Sequence, residues 1–456
     1  MNHIFTLIKN LTGFGQGHKR TNRAKKNVAA SFVIKGLSIL ISLLLVPMTI
    51  NYVNPTRYGI WITLSSIIGW FGFFDIGFGN GLRNKFAEAI AKGDKELART
   101  YVSTTYAILT IIVVVVLVSF LLINPFINWA RILNAPQEMT EELSILALIV
   151  FAFFCIQFVL KLITTILTAD QKPAKASYFN LLGSIFSLSA IFIITKTTQG
   201  SLLYMGMALG LAPVLVLTAS TFWFYGREYK DYSPSLKHIK FLYAKDLMSL
   251  GVKFFIIQIA TLILYQTNNI IISQLYGPSE VTTYNIAFKY FGIVSMVFSI
   301  VTVPFWSAYT EAYIKNEFEW IKKTVKLLEK IWIFICIITV IMLLFSNVMY
   351  SLWIGNSIKV QFSLSLVCAL YVIIVTWSSI FLSVIAGLGK ITIQLYLAVI
   401  VILLNIPLAI FLARYLNLGI GGVLLATCID YLMFAIVIPI QYKKIIGGNA
   451  IGIWNK

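Results

Sequence analysis

Charge is scarce in this chain. Only 12% of its 456 residues are Asp, Glu, Lys or Arg, about half of what a soluble protein carries. Acids are scarcer still, 17 against 36 basic residues. Histidine occurs three times, at His3, His18 and His238, with no neighbouring ligand pattern. The four cysteines, Cys155, Cys336, Cys368 and Cys428, sit singly in apolar runs. These shortages exclude a disulfide scaffold and give no support to a metal centre, and nothing calls for a cofactor. No loop on the extracytoplasmic side is long enough for a catalytic domain, the longest being about residues 124–142. That counts against an enzyme, including a membrane polymerase of glycan assembly.

Apolar residues fill the space left by charge, at 59% of the chain with a mean hydropathy of +0.86. They form long blocks, which reads as an all-α polytopic membrane protein. A hydrocarbon core of about 30 Å needs about 20 helical residues. Twelve spans are expected, at 28–52, 58–81, 101–123, 143–169, 177–195, 202–225, 247–275, 282–308, 327–350, 362–387, 392–413 and 420–442. Backbone polar groups must be satisfied within each segment, so the spans are helices.

Alternating sides across these spans collects 27 basic residues on one side and five on the other, with four inside spans. The asymmetry predicts that both termini face the cytoplasm. It accounts for the net charge of +19 through anionic lipid rather than nucleic acid. The N-terminal apolar run, residues 4–8, is too short for a signal peptide and is expected to be interfacial.

The chain repeats itself. AEAIAKGDKELARTYV (87–102) aligns with TEAYIKNEFEWIKKTV (310–325) at an offset of 223, matching Glu88 with Glu311, Ala89 with Ala312, Lys92 with Lys315 and Glu96 with Glu319. Pro55 matches Pro278 at the same offset. Each segment reads as an amphipathic helix with Glu–Lys pairing. An even number of helices per copy makes the repeats parallel. The expected division is a basic N-terminal segment (1–27), a first lobe (28–225), a cytoplasmic linker (226–246), a second lobe (247–442) and a C-terminal tail (443–456).

An ionisable group in the hydrocarbon costs roughly 2.5–3.5 kcal/mol on insertion scales and marks function unless it snorkels. Lys35, Lys161, Lys253 and Lys289 lie inside spans and suit a cationic lumen for an anionic headgroup such as pyrophosphate. Asp430 lies too deep to snorkel; it reads either as a structural pair with a lysine or as a proton or cation coupling site. Asp75, in FDIGFGNGLRNK, reads as a partner of Arg83 or a cap for the bend at Gly77, Gly79 and Gly81. Gln258, Gln266, Asn268 and Asn269 place polar groups along the seventh span.

VPMTINYVNPTRYGIWITL followed by FDIGFGNGLRNKFAEAIAKGD resembles the first two helices of Wzx-type polysaccharide flippases. YGPSEVTTYNIAFKYFGIVSMVFSIVTVPFWSAYTEAY resembles their seventh and eighth. The resemblance covers roughly 28–442 and places the chain in the MOP exporter superfamily with the MATE drug exporters and lipid II flippases. It implies a V-shaped bundle of two six-helix lobes in the bacterial inner membrane. It further implies an undecaprenyl-pyrophosphate-linked oligosaccharide as partner, moved to the periplasmic leaflet; alternating access, and coupling to a proton or sodium gradient through Asp430, are separate expectations. Arginine is absent from the spans, so a basic lumen depends on the four lysines. The first span has no deep acid, which disfavours the alternative of a MATE-like cation-coupled multidrug exporter.

Overall fold

The computed structural model describes residues 19–455 apart from 76, 171, 249, 250, 303, 304 and 357; the side chains of 19–32, 73, 74, 91, 251–254, 258, 265, 307, 311 and 314 also lie outside the description. Among the described residues the chain is helical throughout, without strands. In order, the helices are α1 (Lys19–Val53), α2 (Pro55–Gly69), α3 (Phe78–Ala91), α4 (Lys95–Ile123), α5 (Trp129–Leu133), α6 (Thr140–Leu160), α7 (Leu162–Ala169), α8 (Pro173–Thr197) and α9 (Leu202–Gly226). There follow α10 (Ala244–Met248), α11 (Gly251–Tyr276), α12 (Pro278–Thr302), α13 (Phe305–Ile314), α14 (Phe318–Leu344), α15 (Ser346–Ile354), α16 (Phe362–Leu388), α17 (Thr392–Ile410) and α18 (Gly419–Ile446).

Eleven helical segments are long and apolar enough to cross a membrane. The expected span 58–81 is the exception. It folds as α2, a 3-10 turn at Trp70–Asp75 and the start of α3, so no single helix has the full length. The count is consistent with twelve crossings, the second of them broken. The expected 143–169 is also interrupted, at Lys161 between α6 and α7. Pro47, Pro213, Pro407 and Pro439 lie inside helices, where each removes one backbone donor.

The described helices pack in two groups, one on each side of the 226–246 segment, here termed the first and second lobe. In the first, α8 packs on α1 and α9, α9 on α6, and α6 on α4; in the second, α16 packs on α18, α11 on α17 and α12 on α16. The principal seam between lobes is α2 against α12 and α11. One continuous apolar core joins both lobes, through Ile60, Leu64 and Phe151 of the first and Ile272, Val281 and Phe291 of the second. A separate core of Phe78, Leu82, Phe86, Leu109, Ile163 and Ile166 fills the first lobe on the side where α1 begins and α18 ends, here termed the termini face.

The repeat is visible in the backbone. Asn54 and Gly277, 223 residues apart, both take positive φ (78° and 94°) just before Pro55 and Pro278 open their helices. Gly93 (φ 75°) and Asn316 (φ 58°) match in the same way. Asp94 N donates to Ala89 O at 3.0 Å and Glu317 N to Ala312 O at 2.8 Å, the same turn twice. These turns correct the expectation of one amphipathic helix over 87–102 and over 310–325. Each segment is a helix, a left-handed turn and a second helix, because Gly and Asn tolerate positive φ where other residues do not. The expected Glu–Lys pairing is present nonetheless, in Lys85–Glu88, Lys92–Glu88 and Lys322–Glu319. Glu311 lies among the side chains outside the description.

Candidate functional site

The seam joins the two lobes, and the hydrogen bonds described across it lie toward one face. At the face opposite the termini, Thr282 Oγ1 donates to Pro55 O at 2.6 Å. Gly59 lies so close to α12 that a Cβ there would stand 1.7 Å from Pro278 O. Ser273 Oγ donates to Leu133 O (2.9 Å), and Asn134 Nδ2 to Ser273 O (2.8 Å). Deeper in, Asn269 Nδ2 donates to Ser66 Oγ at 2.8 Å, while Asn285 Nδ2 holds Asn269 Oδ1 at 2.8 Å. Ser66 is eleven residues along from Pro55, or about 16 Å at 1.5 Å per residue, close to mid-membrane. Further bonds between the lobes, from Lys289 to Tyr58 and from Trp353 to Leu43, likewise lie between that level and the far face. Toward the termini face, Gly81 touches the backbone of α10, where a Cβ would stand 2.0 Å from Leu247 O.

Lys289 belongs to the seam. Its Nζ lies 3.1 Å from the Tyr58 hydroxyl and 5.8 Å from that ring's centroid, joining α12 to α2. It is half-buried, and no acid pairs with it among the described residues. Lys35 is half-buried on α1. Lys161 is exposed at the α6–α7 break. The side chains of Lys253 and Gln258 lie outside the described residues, as does Pro304. Of the predicted lysines, Lys289 is the one with a described side-chain partner.

Asp75 acts as a cap. Its Oδ1 accepts from Gly79 N at 2.8 Å, closing the start of α3 after Gly77, which has φ 85°. A side chain at position 79 would meet the carboxylate, since a Cβ there would lie 3.2 Å from Oδ2. Asp75 therefore fixes the bend of the broken second crossing.

Asp430 is 1% exposed, inside the second lobe. Its described partner is an amide rather than a lysine: Asn405 Nδ2 donates to Oδ2 at 2.6 Å. One turn earlier on α18, Thr427 Oγ1 accepts from Asn268 Nδ2 at 3.1 Å, and the same amide reaches Tyr284 OH at 3.3 Å. Among the described residues, Asp430 Oδ1, Asn405 Oδ1, Asn268 Oδ1 and Thr267 Oγ1 are buried oxygens with no hydrogen-bond partner. Unmet buried acceptors are rare and call for an explanation. Oxygen donors of this kind, one of them an acid, suit a proton or a hard cation. Sequence reading missed Asn405, Thr427, Tyr58 and Ser66; a lone Asn two residues before Pro407 in an apolar run was the available signal for the first.

Comparison with known proteins agrees with this architecture. Residues 24–309, more than half of the chain, match the family described as polysaccharide biosynthesis protein. A Yersinia pseudotuberculosis protein named for O-antigen export is 22% identical over 369 residues, 78% of this chain and 81% of its own. A Salmonella typhimurium protein named as an O-antigen transporter is 22% identical over 422 residues, 89% and 91% of the two chains. Among solved structures, an inward-facing multidrug-resistance MATE family transporter of the MOP superfamily superposes with a TM-score of 0.75 at 17% identity, covering 92% of this chain and 98% of its own. The chain belongs to the polysaccharide biosynthesis protein family and is a membrane transporter with a MATE-like fold.

Proposed function

We propose that this transporter moves an undecaprenyl-pyrophosphate-linked oligosaccharide from the cytoplasmic to the periplasmic leaflet of the bacterial inner membrane, in the assembly of a surface polysaccharide. Both termini lie in the cytoplasm in this reading, and residues 28–225 and 247–442 rock against each other about the 226–246 linker. The observation that carries it is the one-sided seam. Among the described residues, the hydrogen bonds between the lobes run from the far face to mid-membrane, as expected of a carrier closed outside and accessible from the cytoplasm. The headgroup enters between the lobes while the polyprenyl tail stays in lipid.

Lys35, Lys161, Lys253 and Lys289 are the cationic lining in this reading. When the seam opens, Lys289 loses Tyr58 and its ammonium is free for a phosphate oxygen, as a point charge. Asp430, with Asn405, Asn268 and Thr267, is the site for a coupling proton or sodium ion.

Reconstitution into vesicles with fluorescent lipid-linked oligosaccharides tests the reading. Translocation should require the pyrophosphate, and Lys289→Gln should slow it at least tenfold while preserving a hydrogen bond to Tyr58. Asp430→Asn should leave basal exchange but abolish its response to an imposed ion gradient. Transport of an organic cation with no movement of the lipid-linked sugar would overturn the cargo assignment.

A further inference from the structure

The segment between the lobes carries an exposed apolar surface that transport does not use. Leu236 and Leu242 are each 87% exposed and Phe241 is 56% exposed. They alternate with Lys230, Lys237, Lys240 and Lys245, all exposed. Neither Lys230, Lys237 nor Lys240 forms an ion pair among the described residues. An exposed cluster of large apolar side chains marks an interaction surface.

The segment is not a loose tether. Three short 3-10 turns, Lys230–Tyr232, Leu236–His238 and Phe241–Tyr243, lie along the first three turns of α4. Arg99 Nε donates to Ser233 O at 2.9 Å. Ser235 N donates to Ser103 Oγ at 3.1 Å, and Lys240 N to Thr104 Oγ1 at 3.0 Å. Lys95 pairs with Asp231 at 2.7 Å. Tyr232 turns inward onto Phe86 and Tyr243 onto Tyr101, both with ring centroids 5.3 Å apart. The inward aromatics and the outward Leu236, Phe241 and Leu242 make the strap two-faced.

Its height follows from α4. That helix ends at Ile123 on the far side. Counting back the about 20 residues that cross a core of about 30 Å reaches Thr104. The strap is bonded to Ser103 and Thr104, so it sits where hydrocarbon meets headgroups. A segment with apolar side chains on one face and lysines between them partitions into that boundary, and its affinity rises with anionic lipid.

We propose that residues 230–245 form an interfacial anchor, with Leu236, Phe241 and Leu242 inserted among the upper acyl chains and Lys237 and Lys240 on the phosphates of anionic phospholipid. The anchor holds the first lobe at a set depth on the termini face. It stands on the strap's geometry and does not depend on the cargo.

The test uses the full chain in vesicles of phosphatidylcholine alone or mixed with phosphatidylglycerol. With the four native cysteines replaced, single cysteines at Leu236, Leu242 and the exposed Glu96 carry a polarity-sensitive fluorophore. Glu96 is eight residues beyond Thr104, about 12 Å outside the core, and serves as the water-facing reference. Labels at 236 and 242 should emit to the blue of the label at 96, and further so with phosphatidylglycerol. Lys237→Gln together with Lys240→Gln should remove the lipid-dependent part of the shift. In the unsubstituted chain, trypsin should cut after Lys237 and Lys240 several times more slowly in phosphatidylglycerol vesicles than in phosphatidylcholine. Labels at 236 and 242 that read like the one at 96 in both vesicles overturn the anchor, as does equal cleavage. So does shielding that occurs only in native membranes, since that outcome assigns the surface to a protein partner.

Discussion

The two ends of the lobe seam are built differently. At the far face, backbones meet almost without side chains between them: Gly59 against Pro278, and Thr282 on the Pro55 carbonyl. At the termini face the first lobe has its own core, centred on Phe86, Leu109 and Ile166, and meets the polypeptide leading into the second lobe at Gly81 and Leu247. Close backbone approach gives a contact that is either fully made or fully broken. Interiors pack as solids and do not deform smoothly, so a joint of this type favours two discrete states over a continuum.

The largest effect should come from forcing that joint. Gly59→Leu puts a side chain where backbone carbonyl already stands, and overpacking of this kind typically destabilises by about 1–3 kcal/mol. The far face should spring apart: spin-label distances between α2 and α12 should lengthen, and transport should fall to near background. Unchanged distances with full transport would show that the close approach is not the gate.

A gentler cut is Ser66→Ala. It removes the described hydrogen bond from Asn269 to the first lobe and leaves Asn285–Asn269 in place. Interhelical bonds in membranes average about 0.6 kcal/mol, so the open-to-closed ratio should shift about threefold, read from the same distance distributions. A shift of similar size after Ser295→Ala, a buried serine with no partner, would mean that the effect is not specific to the seam.

The smallest effect concerns pH on the opposite side. Hydrogen bonding to Lys95 holds the Asp231 carboxyl below its ordinary value, and the same bond raises Lys95. A depressed acid contributes above its unfolded pKa and loses its contribution as pH falls through the folded one. A raised lysine contributes below its unfolded pKa and loses its contribution as pH rises through the folded one. The pair should therefore be constant from about pH 5 to about pH 10 and weaken only outside that window. Tryptic cleavage of the linker in detergent, measured across pH with a stable reference substrate, should be flat between those limits. A step near neutrality would contradict the pairing.

Most of the fold was legible because the membrane imposes length and polarity together. Runs such as Ala107–Ile123 admit no other reading, and the repeat was visible in Pro55 and Pro278 before their matching turns were known. Breaks were harder to read. Trp70–Asp75 reads WFGFFD, as apolar as the helix before it, and only its geometry shows the change to a 3-10 turn. The turn at Lys92–Gly93 was hidden by good helical Glu–Lys spacing on one side of it. Partners were least legible of all. Asp430 was conspicuous for its depth, but Asn405 lies 25 residues away on another helix, and no local pattern joins them. Asp75, by contrast, has a described partner, Gly79, one helical turn away, within reach of a local pattern.

The strap along α4 also decides where this polypeptide divides. By position in the chain, residues 230–243 sit between the lobes, yet among the described residues the hydrogen bonds and ring contacts they make outside the linker itself go to the first. A two-fragment version severed just after Gly226 would strip the amino-terminal piece of its own girdle and leave Ser103 and Thr104 bare. Severing after Met248 instead keeps the girdle with the helices it clasps, so co-expressed halves split there are the ones that should reassemble.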